Sequence, residues 1–545
     1  MSIVEASKSV GDIIYCCNES VISNNEKPMT VSEILSIVEF LAYYLSVWQN
    51  HVPPSSFGCT VITVGAVTLA AYVLFPQSKR IGGVPVFNAL SRGTYDPTKE
   101  PPFVTNFRRY LKMGRIYGSY VLNPFRVVNL SIAHPKILRE MLQSNYHVFD
   151  RGHPIFKIWY DVAGGLVYQS NGKEWSEARA LFQPFFTMSH MRLVNPLLEE
   201  NFAMLMHKFE EANIKHPEGF DAQEYFLMAT FDNISQLTFG ASTKTLENEG
   251  SAYLSAFEFI MVDAMRMFIN QFRLFYPSSW NAPSKKYTDA VALIRSLCYD
   301  KIDEFAAKGE LEGFQQSILG TILKKGAIPA WMDREHMTTH LVTLLFAGHD
   351  TTSNLLTFAI HFAATYPEYQ EMIRQEAITT FGKDGPITVD KLESLKFVNA
   401  FIKETLRLRP SGPELGRVTN DNVHLEWEEN GEKLTVDLPP RSIVSYSIYA
   451  ASHHPLHYPD RPEEFDPRRF LDDPIGGGTS VYAFIPFSYG PRRCLGERLA
   501  LMEARWILCD VMRRWKVVPA ANWTVKMEQA GNMRANAVKI QLHPL

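Results

Sequence analysis

The segment from Phe487 to Gly496 reads FSYGPRRCLG and runs straight into an amphipathic helical stretch, GERLALMEARWILCDVMRRW. One cysteine therefore stands in a glycine- and arginine-bearing loop at the start of a helix. Gly490 permits backbone dihedrals closed to other residues, so the chain can turn and aim the sulfur outward, while Gly496 lets the following helix approach a flat ligand closely. Phe487 can shield the sulfur from water. Backbone N–H groups beyond Cys494 can hydrogen-bond a thiolate and lower its basicity, and Arg492 can pair with a nearby carboxylate. A lone cysteine is more often an inert buried hydrophobe. Five specified positions in ten, each at about one in twenty, arise by chance in roughly one such chain in several thousand, so the loop reads as a metal holder with Cys494 as ligand. The six cysteines, at 16, 17, 59, 298, 494 and 509, offer no CxxC or zinc spacing. The other ligands of such a metal must come from a macrocycle or from histidine.

From Phe57 to Phe75 the chain runs 19 residues without a charge, roughly 28 Å as a helix and about one hydrocarbon thickness. This predicts a transmembrane helix; the alternative is a buried core helix. Lys79, Arg80, Arg108, Arg109, Lys112 and Arg115 follow it, which places the rest of the chain in the cytosol. A second apolar stretch, 34–48, contains Glu39 and reads as an interfacial helix or a second span. With one span, Asn18 of the sequon Asn18-Glu19-Ser20 is lumenal and open to glycosylation. The chain thus divides into an N-terminal extension (1–56), the membrane helix (57–75), a hinge (76–84) whose Gly82, Gly83 and Pro85 boundary is rich in breakers, and one soluble body (85–545).

Helical periodicity dominates that body, at 192–212, 252–274, 286–308, 335–365, 368–381, 395–408 and 496–514. Strand signals are fewer: 422–427 and 433–436 around Asn430-Gly431, a hairpin signature, then 442–447. The fold class expected is mainly α with small β-sheets. A hydrophobic fraction of 46% suits one large core, and a formal net charge of -4 supplies no basic field for nucleic acid.

Three more motifs stand out. AGHDTT, Ala347 to Thr352, interrupts an apolar helix with a buried acid and hydroxyls, which is costly; on its own it reads as hydroxyls bonded back to carbonyls one turn earlier. KETLRLRP sets Glu404 and Arg407 on one helix face, a pattern that alone means a surface ion pair. WSEAR places Trp175 and Arg179 one helical turn apart.

The loop pattern FxxGxRxCxG resembles the haem-binding loop of the cytochrome P450 family, and the other motifs follow in that family's order from about residue 85 to 540. The resemblance implies haem b bound through Cys494, with Phe487, Gly490, Arg492 and Gly496 shaping the loop and the haem held between a long distal helix and the helix after the cysteine. It implies that Trp175, Arg179 and Arg417 serve the haem propionates. Asp350 and Thr351 match an acid and an alcohol that deliver protons, Gly348 leaving room for dioxygen. Glu404, Arg407 and Arg469 of FDPRRF match a buried structural network. The activity implied is insertion of one oxygen atom from O2 into a lipophilic small molecule of terpenoid, sterol, fatty acid or polyketide type, in specialised metabolism. No flavin fingerprint or iron–sulfur cluster is visible, so electrons are expected from an NADPH-dependent flavoprotein reductase, with cytochrome b5 as a further donor, at the endoplasmic reticulum. Arg492, Arg493 and Arg498 offer a docking surface for it. Two other readings stand beside this one: a haem-thiolate isomerase or dehydratase that needs no reductase, and a membrane haem carrier or sensor.

Overall fold

The computed structural model describes residues 80–81, 84–88, 101–120, 128–151, 159–269, 283–308, 316–326, 328–521 and 523–545. They fall almost wholly in the second of two compact units, made of Arg80–Val86, Tyr95–Val121 and Phe125–Leu545. Segments 34–48 and 57–75, and Asn18, lie outside the described residues. Among the described residues no helix is long and apolar enough to cross a membrane.

Among the described residues, ten helices of ten or more residues build this unit: α1 (Pro102–Met113), α2 (Lys173–Phe182), α3 (Met188–Lys215), α4 (Ala222–Phe239), α5 (Ala252–Ile269), α6 (Lys285–Lys308), α7 (Arg334–Thr365), α8 (Pro367–Phe381), α9 (Lys396–Leu408) and α10 (Glu497–Arg514). The periodic stretches of the sequence coincide with α3, α5, α6, α7, α8, α9 and α10, residues 270–274 lying outside the described set. α7 starts where the Asp333 side chain accepts from the His336 N–H at 2.9 Å, and ends at Tyr366, after which Pro367 opens α8. α4 has no counterpart in the sequence reading. Fourteen of its eighteen residues are buried, so it has no polar face and hence no 3.6-residue period to detect. It packs along α7, and this antechamber of two buried helices is the centre of the fold.

The described residues also form fourteen strands: β1 (Arg80–Ile81), β2 (Val84–Asn88), β3 (Ile116–Tyr120), β4 (Val128–Ile132), β5 (Phe149–Asp150), β6 (Phe220–Asp221), β7 (Glu414–Thr419), β8 (Val423–Glu429), β9 (Glu432–Leu438), β10 (Ile443–Ser447), β11 (Trp515–Pro519), β12 (Met527–Ala530), β13 (Asn532–Ala535) and β14 (Lys539–Pro544). The largest sheet has the order β1-β2-β3-β4-β10-β7-β5. β10 runs parallel to β4 but antiparallel to β7, with Val444 opposite Arg417. β8 and β9 form the hairpin expected at Asn430-Gly431, both of which take left-handed dihedrals (φ 52° and 79°). Alternation along β8 buries Val423, Leu425 and Trp427 against the sheet. β12 and β13 pair only with each other.

One polar group sits deep between helices. Glu503 of α10 is 1% exposed, and one of its oxygens has no hydrogen-bond partner. Burial pushes its carboxyl up to about 8, with Asn233 of α4 offsetting only part. The fold therefore favours protonated Glu503. That contribution is complete below the ordinary carboxyl pKa of 4.5 and drains away as pH rises towards 8. Glu503→Gln is expected to remove most of this loss and to stabilise the protein at pH 8 by roughly 3 kcal/mol. Thermal melts from pH 5 to 8.5 would show the parent falling more steeply than the variant; parallel curves would mean that water reaches the carboxyl. Glu414, pushed up by burial to about 7, should leave the variant a smaller residual slope.

Candidate active site

The loop ahead of α10 is held by its own backbone. The Cys494 N–H donates to the Phe487 carbonyl at 2.9 Å and the Arg493 N–H to Gly490 at 3.0 Å, closing a tight turn from which the cysteine projects. Gly490 has φ 71°, and a Cβ there would stand 1.9 Å from the Leu142 carbonyl oxygen, so no side chain fits. Ser488, also left-handed at φ 60°, shares a hydrogen bond of 2.9 Å with the Tyr446 hydroxyl. At Gly496 the dihedrals are ordinary and a Cβ would meet only Phe186, at 4.0 Å. The protein itself does not demand glycine there, whereas a flat ligand against the helix start would.

Cys494 is exposed, yet protein surrounds it closely enough that desolvation pushes its thiol above the usual value. A hydrogen bond from the Gly496 N–H pulls part of this back, as do Arg179 and Arg493. The Gly496 N–H at the helix start thus acts on the sulfur in the direction expected, against the larger effect of desolvation.

Four arginines gather behind the loop: Arg151 after β5, Arg179 on α2, Arg417 on β7 and Arg492. Among the described residues no carboxylate lies within ion-pair distance of any of them. Arg492 donates to Asn171 Oδ1 (2.6 and 2.9 Å) and to the Gln169 carbonyl (2.8 Å), and its guanidinium lies 3.9 Å above the Trp175 ring. Burial and the charges of Arg151 and Arg417 drive its pKa down to about 8. Arg417, 2% exposed, reaches its own strand's Gly416 carbonyl and the Tyr446 hydroxyl. Arg151 donates to the Val167 carbonyl and keeps a buried Nε without a partner; burial and Arg417 lower it to about 10. Four mutually repelling, poorly paired guanidiniums are stable only beside anionic charge. A thiol, an open helix start and this cluster fit an iron porphyrin with two carboxylates.

Arg151 was invisible in the sequence, a single arginine in a loop with no motif around it. Arg492 departs from the docking role expected of it: it faces inward. Of that trio only Arg493 and Arg498 are exposed, and Arg493 is already engaged by Glu497 at 2.6 Å.

On α7 the stretch Phe346–Gly348 and Thr351 are partly accessible in a helix otherwise buried at its centre, so this face borders open space. Thr351 Oγ1 donates to the Ala347 carbonyl at 2.8 Å, the local bond the sequence left open. A Cβ at Gly348 would lie 2.6 Å from the Ile234 side chain of α4, so its smallness also serves helix packing. Asp350 is fully buried, as an acid in the middle of an apolar helix is expected to be. Its Oδ1 is 2.5 Å from Arg534 and its Oδ2 accepts from Asn532 at 2.6 Å.

Glu404, Arg407 and Arg469 meet. Arg407 donates to both oxygens of Glu404 (2.7 and 2.9 Å), and Arg469 Nε reaches Oε1 at 3.0 Å. Glu404 and Arg407 are 0% exposed, so this is no surface pair.

The family model described as Cytochrome P450 matches residues 86–542. Similar curated proteins include Cytochrome P450 734A6 of Oryza sativa subsp. japonica, 28% identical over 467 residues and 81% of each chain. Cytochrome P450 3A31 of Mesocricetus auratus is 27% identical over 369 residues, 66% of this chain and 71% of that one. Cytochrome P450 monooxygenase pvhE of Talaromyces variabilis is 26% identical over 406 residues, 71% and 74%.

Proposed function

The chain belongs to the cytochrome P450 family, and from that premise we propose that it oxidises a lipophilic small molecule at a haem b held by Cys494, with electrons from an NADPH-dependent flavoprotein reductase. The overall change is RH + O2 + 2e⁻ + 2H⁺ → ROH + H2O. The observation that carries this reading is the convergence of the Cys494 loop with four arginines that lack carboxylate partners.

The Cys494 sulfur would ligate the iron, and Arg151, Arg179, Arg417 and Arg492 would hold the two propionates, Trp175 supporting Arg492 from below. When bound, the haem supplies dioxygen activation and oxygen transfer. The chain contributes position, a dry pocket and protons. Thr351 lies on the α7 face that borders open space and Asp350, buried, stands next to it in the chain, where an acid and a hydroxyl can move protons in sequence. Phe346, Ala347 and Gly348 make the rest of that accessible face apolar, which suits a lipophilic substrate of terpenoid, sterol, fatty acid or polyketide type. The uncharged run 57–75 with Lys79 and Arg80 behind it supports attachment to the endoplasmic reticulum membrane, the catalytic unit in the cytosol and the electron donor on the same surface.

Thr351→Ala is expected to lower product formed per NADPH at least fivefold, with hydrogen peroxide released in its place. The assay uses the full-length chain reconstituted with reductase and a converted lipophilic substrate. Unchanged coupling would remove Thr351 from proton delivery, and conversion without reductase or O2 would replace the oxygenase by an isomerase.

A further inference from the structure

Asp350 is met from outside its helix at both oxygens: Oδ2 accepts from Asn532 at 2.6 Å, and Oδ1 forms an ion pair with Arg534 at 2.5 Å without hydrogen-bond geometry. The two partners are two apart on β13 and therefore share a face of the strand. The same hairpin reaches the alcohol's turn of α7 as well: Met533 N–H donates to the Ser411 carbonyl, and Ser411 Oγ donates to the Thr351 carbonyl, each at 2.8 Å. Its turn at Gly531 (φ 83°) is wedged so closely that a Cβ would lie 2.5 Å from Met261 of α5 and 3.5 Å from Trp159. A two-stranded hairpin has little stability alone, and β12–β13 is placed by these contacts.

We propose that Arg534 is a positioning residue for proton delivery, holding the Asp350 carboxyl in place through their ion pair, so that the β12–β13 hairpin is part of the catalytic apparatus. This rests on the reading of Asp350 as a proton carrier. A buried carboxylate out of reach of water needs an opposite charge. The other ionisable groups that feel this pair do not supply one. Glu258 of α5 is itself acidic, raised by burial and by Asp350 and drawn down by Arg534. His349 is lowered by burial, and its ring faces Phe231 and Phe257. Without Arg534, Asp350 is left without its counter-charge and is free to turn away from its place on α7. A substrate that presses on the hairpin tip then acts on proton supply without touching either α7 residue.

The test compares Asp350→Asn, Arg534→Met, Arg534→Lys and the Asp350→Asn/Arg534→Met double variant in the full-length chain with reductase. Product and peroxide per NADPH are measured, and amide hydrogen exchange is followed over residues 347–354 and 527–535 without turnover. Asp350→Asn and Arg534→Met are each expected to lose coupling at least fivefold, the double no more than either, with Arg534→Lys keeping most of it. Exchange in 527–535 is expected to quicken at least tenfold in Asp350→Asn and Arg534→Met. Coupling intact in Arg534→Met but lost in Asp350→Asn would overturn the role of Arg534 and leave the relay standing; coupling intact in Asp350→Asn would sink the relay itself. Should Arg534→Met not fold, Asn532→Ala removes one neutral hydrogen bond from the same carboxylate: a twofold or greater loss of coupling supports the proposal, and none refutes it.

Discussion

If Cys494 ligates the iron as proposed, the dithionite-reduced parent is expected to give a strongly red-shifted Soret band with carbon monoxide, and Cys494→Ser to abolish it and to lower substrate oxidation by at least 1000-fold, about 4 kcal/mol of transition-state stabilisation. The substitution is close to isosteric, and the turn does not depend on the sulfur: it is closed by Cys494 N–H to Phe487 and Arg493 N–H to Gly490. The fold should therefore survive, with melting of the protein within about 1 kcal/mol of the parent. What is lost is chemical. A serine hydroxyl stays protonated where a cysteine becomes an anion, and only the anion pushes electron density onto the iron. The arginine cluster is untouched, so the variant should keep some haem, which separates ligation from binding. A parent that binds haem yet shows no red-shifted band would remove Cys494 as ligand, and the proposed function with it.

Much of this site could be read from the chain because its motifs are local. The glycine positions around Cys494 and the three-residue spacing of Glu404 and Arg407 each encode a turn or a helix face over a few residues. The hairpin at Asn430-Gly431 was legible for the same reason, since left-handed dihedrals leave a signature in residue type. What failed to show depends on long-range pairing. Arg534 meets Asp350 across 184 positions, and Arg151 joins Arg417 through strands β5 and β7; neither arginine carries a local pattern. α4 was missed for the opposite reason, being buried on every side. What covers the buried Asp350 is likewise not legible, because helix periodicity reveals a face but not what packs on it, and here the cover is a C-terminal hairpin.

Glu404→Ala is expected to yield little or no folded protein. The residue has no contact with water, and its two oxygens compensate two guanidiniums, Arg407 at 0% and Arg469 at 7% side-chain exposure. It also accepts from the Asp466 N–H at 2.9 Å. Removing one partner of a buried ion pair costs about 3 to 5 kcal/mol, and here the loss strands two cations at once, against a total stability on the order of 5 to 15 kcal/mol. Arg407 spends its remaining donors on the carbonyls of Ser452 (3.0 Å), Pro462 (2.6 Å) and Glu464 (3.1 Å), so α9 fixes the long irregular segment that leads towards the Cys494 loop. Arg407→Lys should be nearly as damaging, because one ammonium cannot reach both Glu404 oxygens and three carbonyls. Arg469→Lys keeps a cation near a single oxygen and is expected to cost only about 1 to 2 kcal/mol. The ratio of haem to soluble protein and the thermal midpoint would rank the three. A Glu404→Ala protein that melts within 1 kcal/mol of the parent would show that α9 and the segment it grips are held by apolar packing alone.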